Sequence, residues 1–203
     1  MADDLELLAA WAQGSETAGR QLVDRHFSSL VRFFHGKVGQ GVDDLIQSAF
    51  LSCLEQHRQG REIANFRNYL FIVARNALFA RLRAERRDGP PLDPAEMTLA
   101  DMATSPTGRL VRSDARQCLL EALRNIPLDL QVALELHYWE KMSTADIGEV
   151  LGIPAGTVKS RLFRARELVR ERLTAIDKGE VPLEETMSRL EDWANEVRQS
   201  RST

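Results

Sequence analysis

Apolar residues recur every three to four positions along nearly the whole chain, while alternating Val/Ile/Thr runs and Asn-Gly hairpin signals are almost absent. That spacing gives each segment one apolar stripe on a helix, not one apolar face of a strand. The chain is therefore expected to be all-α. A first helix is expected over Asp4–Gln13, stopped at Gly14, and a second over about Thr17–His35 with Leu22, His26, Phe27, Leu30, Val31 and Phe34 on one face. "GKVGQG" breaks the pattern. A third helix starts in "VDDLIQSAFLSCLEQH", where Asp43 or Asp44 is placed to cap it and to complement its dipole. Leu45, Ala49, Phe50, Cys53 and Leu54 form its inner face. After the polar loop "RQGREIA", the long run "NFRNYLFIVARNALFARLRAERR" is helical and densely basic at its end.

The character changes at Asp88. "DGPPLDPAEMTLADMATSPTGR" has four prolines, small residues and weak periodicity, the composition of a linker. Helices resume over about Leu110–Asn125, Leu128–Trp139, Thr144–Leu151 and Gly156–Leu173. The tail holds one more, with Pro182 in its first turn and Leu183, Met187, Leu190, Ala194 and Val197 as a stripe. The expected architecture is two small helical domains, 1–88 and 111–173, joined by a flexible linker, 89–110, with a C-terminal extension helix in 174–203. The stripe, with Trp193 beside it, is expected to pack on one of the domains or on a partner, since it is too apolar to face water. A cover over a functional face of one of the domains is the sharper form of that expectation.

Among 203 residues only Cys53 and Cys118 are cysteines, far apart and in no metal-like spacing. That fits a reducing cytoplasm. The acidic N-terminus "MADDLELLAAWAQG" is unlike a signal peptide, and no apolar run approaches membrane-span length. A soluble cytoplasmic protein with no membrane partner is expected. Phosphate loops, GxSxG and HExxH motifs are absent. Asp43 and Asp44 are adjacent and diverge on a helix, so with Glu55 they make a poor nuclease metal site. Cys53 and His57 share a face at i, i+4 but lack two companions of recognisable spacing, even with His35. No metal, no cofactor and no catalytic residue is expected.

The formal net charge is −3, yet one short run is strongly basic: "STADIGEVLGIPAGTVKSRLFRAREL", Ser143–Leu168. Ser143 is a good N-cap, with Asp146 as a capping-box acid three residues on. Gly152 sits where a helix must end left-handed, and Ile153-Pro154 turns the chain. Val158, Leu162, Ala165 and Val169 give the second helix its inner face. Two short helices across a tight Gly turn make a helix-turn-helix, whose second helix enters the DNA major groove. Its opposite face presents Thr157, Ser160, Arg161 and Arg164, flanked by Lys159 and Arg166, a set suited to base edges and phosphates. The charge is local because its expected partner is a local polyanion.

With these residues in place, "LEALRNIPLDLQVALELHYWEKMSTADIGEVLGIPAGTVKSRLFRARELVRERL" resembles region 4 of an extracytoplasmic-function sigma factor. "VDDLIQSAFLSCLEQ" resembles region 2.2 of that family, and "NFRNYLFIVARNALFARLRAERR" resembles regions 2.3 and 2.4. The resemblance implies an alternative sigma factor. Its partners would be bacterial core RNA polymerase and promoter DNA, and its regulator an anti-sigma protein or a Ser/Thr kinase. Region 2 would dock on the polymerase clamp through Asp43, Asp44 and Gln47 and melt the minus-ten element. Asn65, Phe66 and Tyr69 would capture an unstacked base, with Arg67, Arg75, Asn76 and Arg83 on the DNA. Region 4 would read the minus-thirty-five element through Thr157, Lys159, Ser160, Arg161 and Arg164, and the linker would run through the RNA exit path.

The chain departs from the family pattern in places. Gly41 and Ser48 stand where acids are usual, Ala80 replaces a frequent Asp, and Pro154 replaces a Ser cap. The weakened acidic surface motivates Ser48 or Ser52 as a phosphorylation position, since phosphate restores nearly two negative charges. The rival reading is a stand-alone helix-turn-helix transcription regulator, which would bind duplex DNA by itself, usually as a dimer on a palindrome.

Overall fold

The structure, a computed structural model, describes residues 2–85, 97–102 and 115–177, with the single positions 185, 188 and 192. The stripe expected in the tail, the Pro-rich stretch before Met97, and Arg86 and Arg87 lie outside the described residues. The chain divides into two compact units, Met1–Arg87 and Asp88–Thr203. Among the described residues the regular structure is helical, with one isolated bridge.

The first unit contains α1 (Asp4–Ala12), α2 (Glu16–Phe34), α3 (Val42–Arg58) and α4 (Phe66–Glu85). A full capping box starts α1, in which Asp3 accepts from the Glu6 N–H and Glu6 accepts from the Asp3 N–H. Leu8, Leu22, Leu30, Phe34, Phe50, Phe66, Leu70 and Phe71 fill the core. Gly19 allows α1 to lie close on α2: a Cβ there would come within 2.7 Å of the Trp11 indole nitrogen. Asp4 ties the same two helices, with its oxygens 2.5 Å from an Arg25 guanidinium nitrogen and 2.7 Å from His26 Nε2. The His26 ring lies 5.4 Å from the Phe66 ring. Burial holds the His26 pKa below its ordinary value, against the opposing pull of Asp4.

Three local expectations change here. Neither Asp43 nor Asp44 caps α3. Its N-cap is Gly41 at φ +76°, with no side-chain cap bond, and both acids sit exposed in the first turn, where they complement the dipole without capping the helix. The buried stripe of α3 turns slightly, so that Ile46 is buried and Leu45 only half-buried. Phe27 is exposed, off the core face of α2.

The second unit contains α5 (Leu99–Met102), α6 (Ala115–Arg124), α7 (Leu128–Tyr138), α8 (Thr144–Leu151) and α9 (Ala155–Asp177). Residues 97–99 do not behave as spacer. Met97 and Leu99 are buried, and Thr98 forms an antiparallel bridge with Pro127. The Ser143–Asp146 capping box starts α8 as expected, and Gly152 ends it at φ +69°. α8 and α9 meet tightly at Gly148, where a Cβ would lie 2.7 Å from the Ile153 carbonyl oxygen. The Pro154 carbonyl accepts from the N–H groups of Thr157 and Val158, so the missing Ser hydroxyl leaves the start of α9 intact. Val158, Leu162, Ala165, Val169 and Leu173 bury its inner face. Among the described residues no helix is long and apolar enough to cross a membrane.

Candidate nucleic-acid interface

The first turns of α9 carry the expected face. Thr157, Lys159, Ser160 and Arg164 are exposed on the outer side of the helix-turn-helix, opposite the buried Val158–Leu162–Ala165 stripe. The Ser160 hydroxyl donates to the Thr157 carbonyl at 2.9 Å, leaving the hydroxyl oxygen as an acceptor. Arg161 is different. Its guanidinium lies 2.8 Å from Asp129 of α7, an acid that is itself buried. It works as a strut between α7 and α9, and reaches solvent only with what remains exposed. Arg166 also turns inward, donating to the Tyr138 hydroxyl at 3.0 Å. Sequence reasoning passed over Phe163, which is 61% exposed among these polar residues. A large apolar side chain one step past the inward-facing Leu162 was the available signal. An apolar contact of this kind suits a thymine methyl.

The other expected DNA residues lie on α4 and the loop before it. Asn65 is exposed and caps α4, its side-chain oxygen accepting from the Asn68 N–H at 3.1 Å. Phe66 is 2% exposed and packs beside His26, so its ring is a core residue in the free chain and offers no open face for stacking. Tyr69 is half-buried, and burial pushes its phenol pKa up, keeping the hydroxyl a neutral donor. Arg75 is half-buried with its guanidinium 5.0 Å from the centre of the Phe79 ring. Arg67 is half-buried, whereas Asn76 and Arg83 are exposed. Arg81 pairs with Glu85 at 2.7 Å.

A third surface runs along α3. Asp44, Gln47, Ser48, Leu51 and Glu55 are exposed at i, i+3, i+4, i+7 and i+11, one continuous helical face. Asp43 and Ser52 are exposed beside it, and the Ser52 hydroxyl donates to the Ser48 carbonyl at 2.8 Å. Leu51, at 49% exposure, puts an apolar centre in this polar face that the sequence pattern did not single out. Beneath it Cys53 is buried, and desolvation pushes its thiol up to about 12. A neutral core thiol is a poor metal ligand.

The sequence profile described as Sigma-70 region 2 matches residues 22–88, and that described as Sigma-70, region 4 matches residues 116–169. The RNA polymerase sigma-H factor of Pseudomonas aeruginosa is 33% identical over 162 residues, covering 76% of this chain and 79% of that protein. The chain belongs to the extracytoplasmic-function sigma factors. The ECF RNA polymerase sigma-E factor of Haemophilus influenzae is 27% identical over 84% of this chain and 95% of its own length. Its counterpart in Escherichia coli K12 is 26% identical over 82% of the chain and 92% of its own. The sigma factor RpoE of Bartonella quintana, solved in complex with the anti-sigma factor NepR, shares the fold at a TM-score of 0.56 and 21% identity, covering 76% of this chain and 96% of that one. A sigma factor directs RNA polymerase to specific promoters. In this chain α3 and α4 fall in region 2, and α8 and α9 form the helix-turn-helix of region 4.

Proposed function

We propose that this sigma factor docks on core RNA polymerase through the exposed face of α3, melts the minus-ten element with the Asn65–Arg83 surface, and reads the minus-thirty-five element with α9. The observation that carries the proposal is the outer face of α9. Lys159, Ser160, Phe163 and Arg164 are exposed together on the second helix of a capped helix-turn-helix. Cations there neutralise phosphates, and Arg or Lys can also pair with guanine edges. On the minus-ten side, exposed Asn65 and Asn76 supply amides for an unstacked base, and half-buried Tyr69 supplies an aromatic edge. The α3 face joins Asp44 and Gln47 to Leu51, an apolar contact ringed by polar groups, which is the composition of a protein-binding patch.

Control would act on the same faces. Ser48 and Ser52 are exposed on the docking helix, where a phosphate would add charge beside Asp44. The Bartonella quintana sigma factor was solved with an anti-sigma factor bound, which supports an anti-sigma protein as the alternative regulator.

Run-off transcription with purified bacterial core polymerase, this protein and a library of spaced promoters tests the proposal. Transcripts that need both components and two spaced, non-palindromic elements are expected. No transcript and no core binding, with tight binding of the protein alone to palindromic duplex DNA, would replace it with a stand-alone regulator.

A further inference from the structure

Residues 97–99 have the sequence of a linker and the contacts of a structural element. The Leu128 N–H donates to the Met97 carbonyl at 2.8 Å. Thr98 bridges to Pro127, and Met97 and Leu99 are 6% and 3% exposed. The hydrogen bond and the bridge meet α7 at its N-terminus. Its N-cap is Pro127, which has no side-chain acceptor, so the first N–H of the helix would otherwise lack a protein partner. The next residue in that turn is Asp129, whose carboxylate holds Arg161 of α9 at 2.8 Å. Adjacent residues of one helical turn thus face the linker segment and the DNA-reading helix.

We infer that Met97–Leu99 is a strut of the DNA-reading unit. By satisfying and packing the first turn of α7 it sets Asp129, and through Asp129 it sets Arg161 and the seat of α9. The strut touches no base, and its residues are positioning residues. The segment between the two DNA-contacting units therefore begins its work on region 4 well before α6. This inference rests on the function proposed above for α9.

The test uses the full chain with Met97→Ala/Leu99→Ala, and Met97→Leu/Leu99→Met as the conservative control. Hydrogen exchange on the free protein is read first. The alanine pair is expected to speed exchange at the Leu128 amide and at the Val158–Leu162 amides by about tenfold or more, while α1–α4 keep their protection. The conservative pair should keep wild-type protection throughout. The second reading is affinity for a duplex promoter selected with the wild-type chain and core polymerase. The alanine pair should bind it about tenfold more weakly, with capture of a single-stranded minus-ten oligonucleotide unchanged. Unchanged exchange at Leu128 would overturn the strut. Faster exchange at Leu128 with α9 protection and duplex affinity intact would overturn its coupling to DNA reading. If the wild-type chain selects no promoter with core polymerase, the proposed function fails, and the exchange comparison still decides the strut.

Discussion

The Arg161 guanidinium sits 2.8 Å from the carboxylate of Asp129, joining the second helix of the helix-turn-helix to the first turn of α7. Arg161 is about three-tenths exposed and Asp129 is buried, so the pair lies where solvent screens it only in part. Its geometry explains why one of the basic residues of α9 faces the protein when its neighbours face outward.

Asp129→Ala leaves Arg161 without this partner. A loss of about 1–3 kcal/mol is expected, the cost of a partly buried charged group losing its hydrogen-bond acceptor. Thermal unfolding should show it as a lower midpoint for the second unit. Duplex promoter affinity should fall with it. With Asp129 in place, Arg161→Lys should keep part of both, because the contact joins one guanidinium nitrogen to one carboxylate oxygen, which an ammonium can also reach.

Two glycines near the turn of the helix-turn-helix should respond in opposite ways to alanine. At Gly148 a Cβ would lie 2.7 Å from the Ile153 carbonyl oxygen, a backbone atom with little freedom to move. Gly148→Ala is expected to cost about 1–3 kcal/mol, despite the better helix propensity of alanine. Gly156 has nothing within 4 Å of the same position. Gly156→Ala should be neutral or stabilising by up to about 1 kcal/mol. Denaturant midpoints of the two variants, compared with wild type, check the pair.

His26 should give the first unit a pH-dependent stability. Its pKa is lowered in the folded chain from the ordinary value of 6.5, chiefly by burial, with Arg67 and Arg25 adding to this and Asp4 opposing it. The unfolded chain therefore takes up a proton before the native one does. This contribution is fully present above 6.5 and is lost as the pH falls toward the folded pKa. The slope cannot exceed roughly 1.4 kcal/mol per pH unit for one group. His26→Gln should remove that portion of the slope between about pH 7 and about 5.5, a window above ordinary carboxylate titration. Thermal midpoints of both proteins across that range provide the measurement.

The helical architecture was legible because each helix must bury one stripe, and apolar spacing records that stripe directly. The α8–α9 turn was legible in most detail, because Ser143, Asp146 and Gly152 each answer a local backbone requirement. What escaped was non-local. Nothing in the spacing of Met97, Thr98 and Leu99 marks them as partners of Pro127 and Leu128, since a backbone bridge has no side-chain signature. Arg161 looked like its neighbours because its partner, Asp129, lies 32 positions upstream in another helix. Phe66 resembles a stacking residue in the sequence, but the fold buries it beside His26. The α3 cap failed for a local reason, as a left-handed Gly41 starts the helix where an Asp cap was expected.

The α3 face should separate polymerase binding from DNA binding. Leu51→Asp places a charge at the centre of the exposed stripe without touching the core, because Leu51 is 49% exposed. Core polymerase affinity should drop by about tenfold or more, in the range of a hot-spot residue. Helix content and duplex affinity of the free protein should be unchanged. Ser48→Glu should act in the opposite direction and strengthen core binding by adding charge beside Asp44. Equal binding by Ser48→Glu and wild type would end the phosphorylation reading while leaving the docking face intact.

Salt dependence should divide the residues of α9 by role. Lys159 and Arg164 are exposed on the outer face, so their charge is available to phosphates or guanine edges. Each phosphate contact releases counterions, so losing one should reduce the slope of log affinity against log salt by about 1. If Lys159 is a phosphate contact, Lys159→Ala should weaken all sequences alike and lower the slope by that amount. If Arg164 reads a base, Arg164→Ala should cost about 1–3 kcal/mol at one position of the site and relax the preference there. Phe163→Ala carries no charge change, so it should leave the slope untouched and alter the preference for thymine at the base it meets. Arg161→Ala should lose affinity through the Asp129 strut, which shows as a stability loss accompanying the binding loss. Titrations of all four variants at several salt concentrations, on the selected promoter and its single-base variants, distinguish these outcomes. Identical slopes and identical sequence preferences in all four would remove α9 as the reading helix.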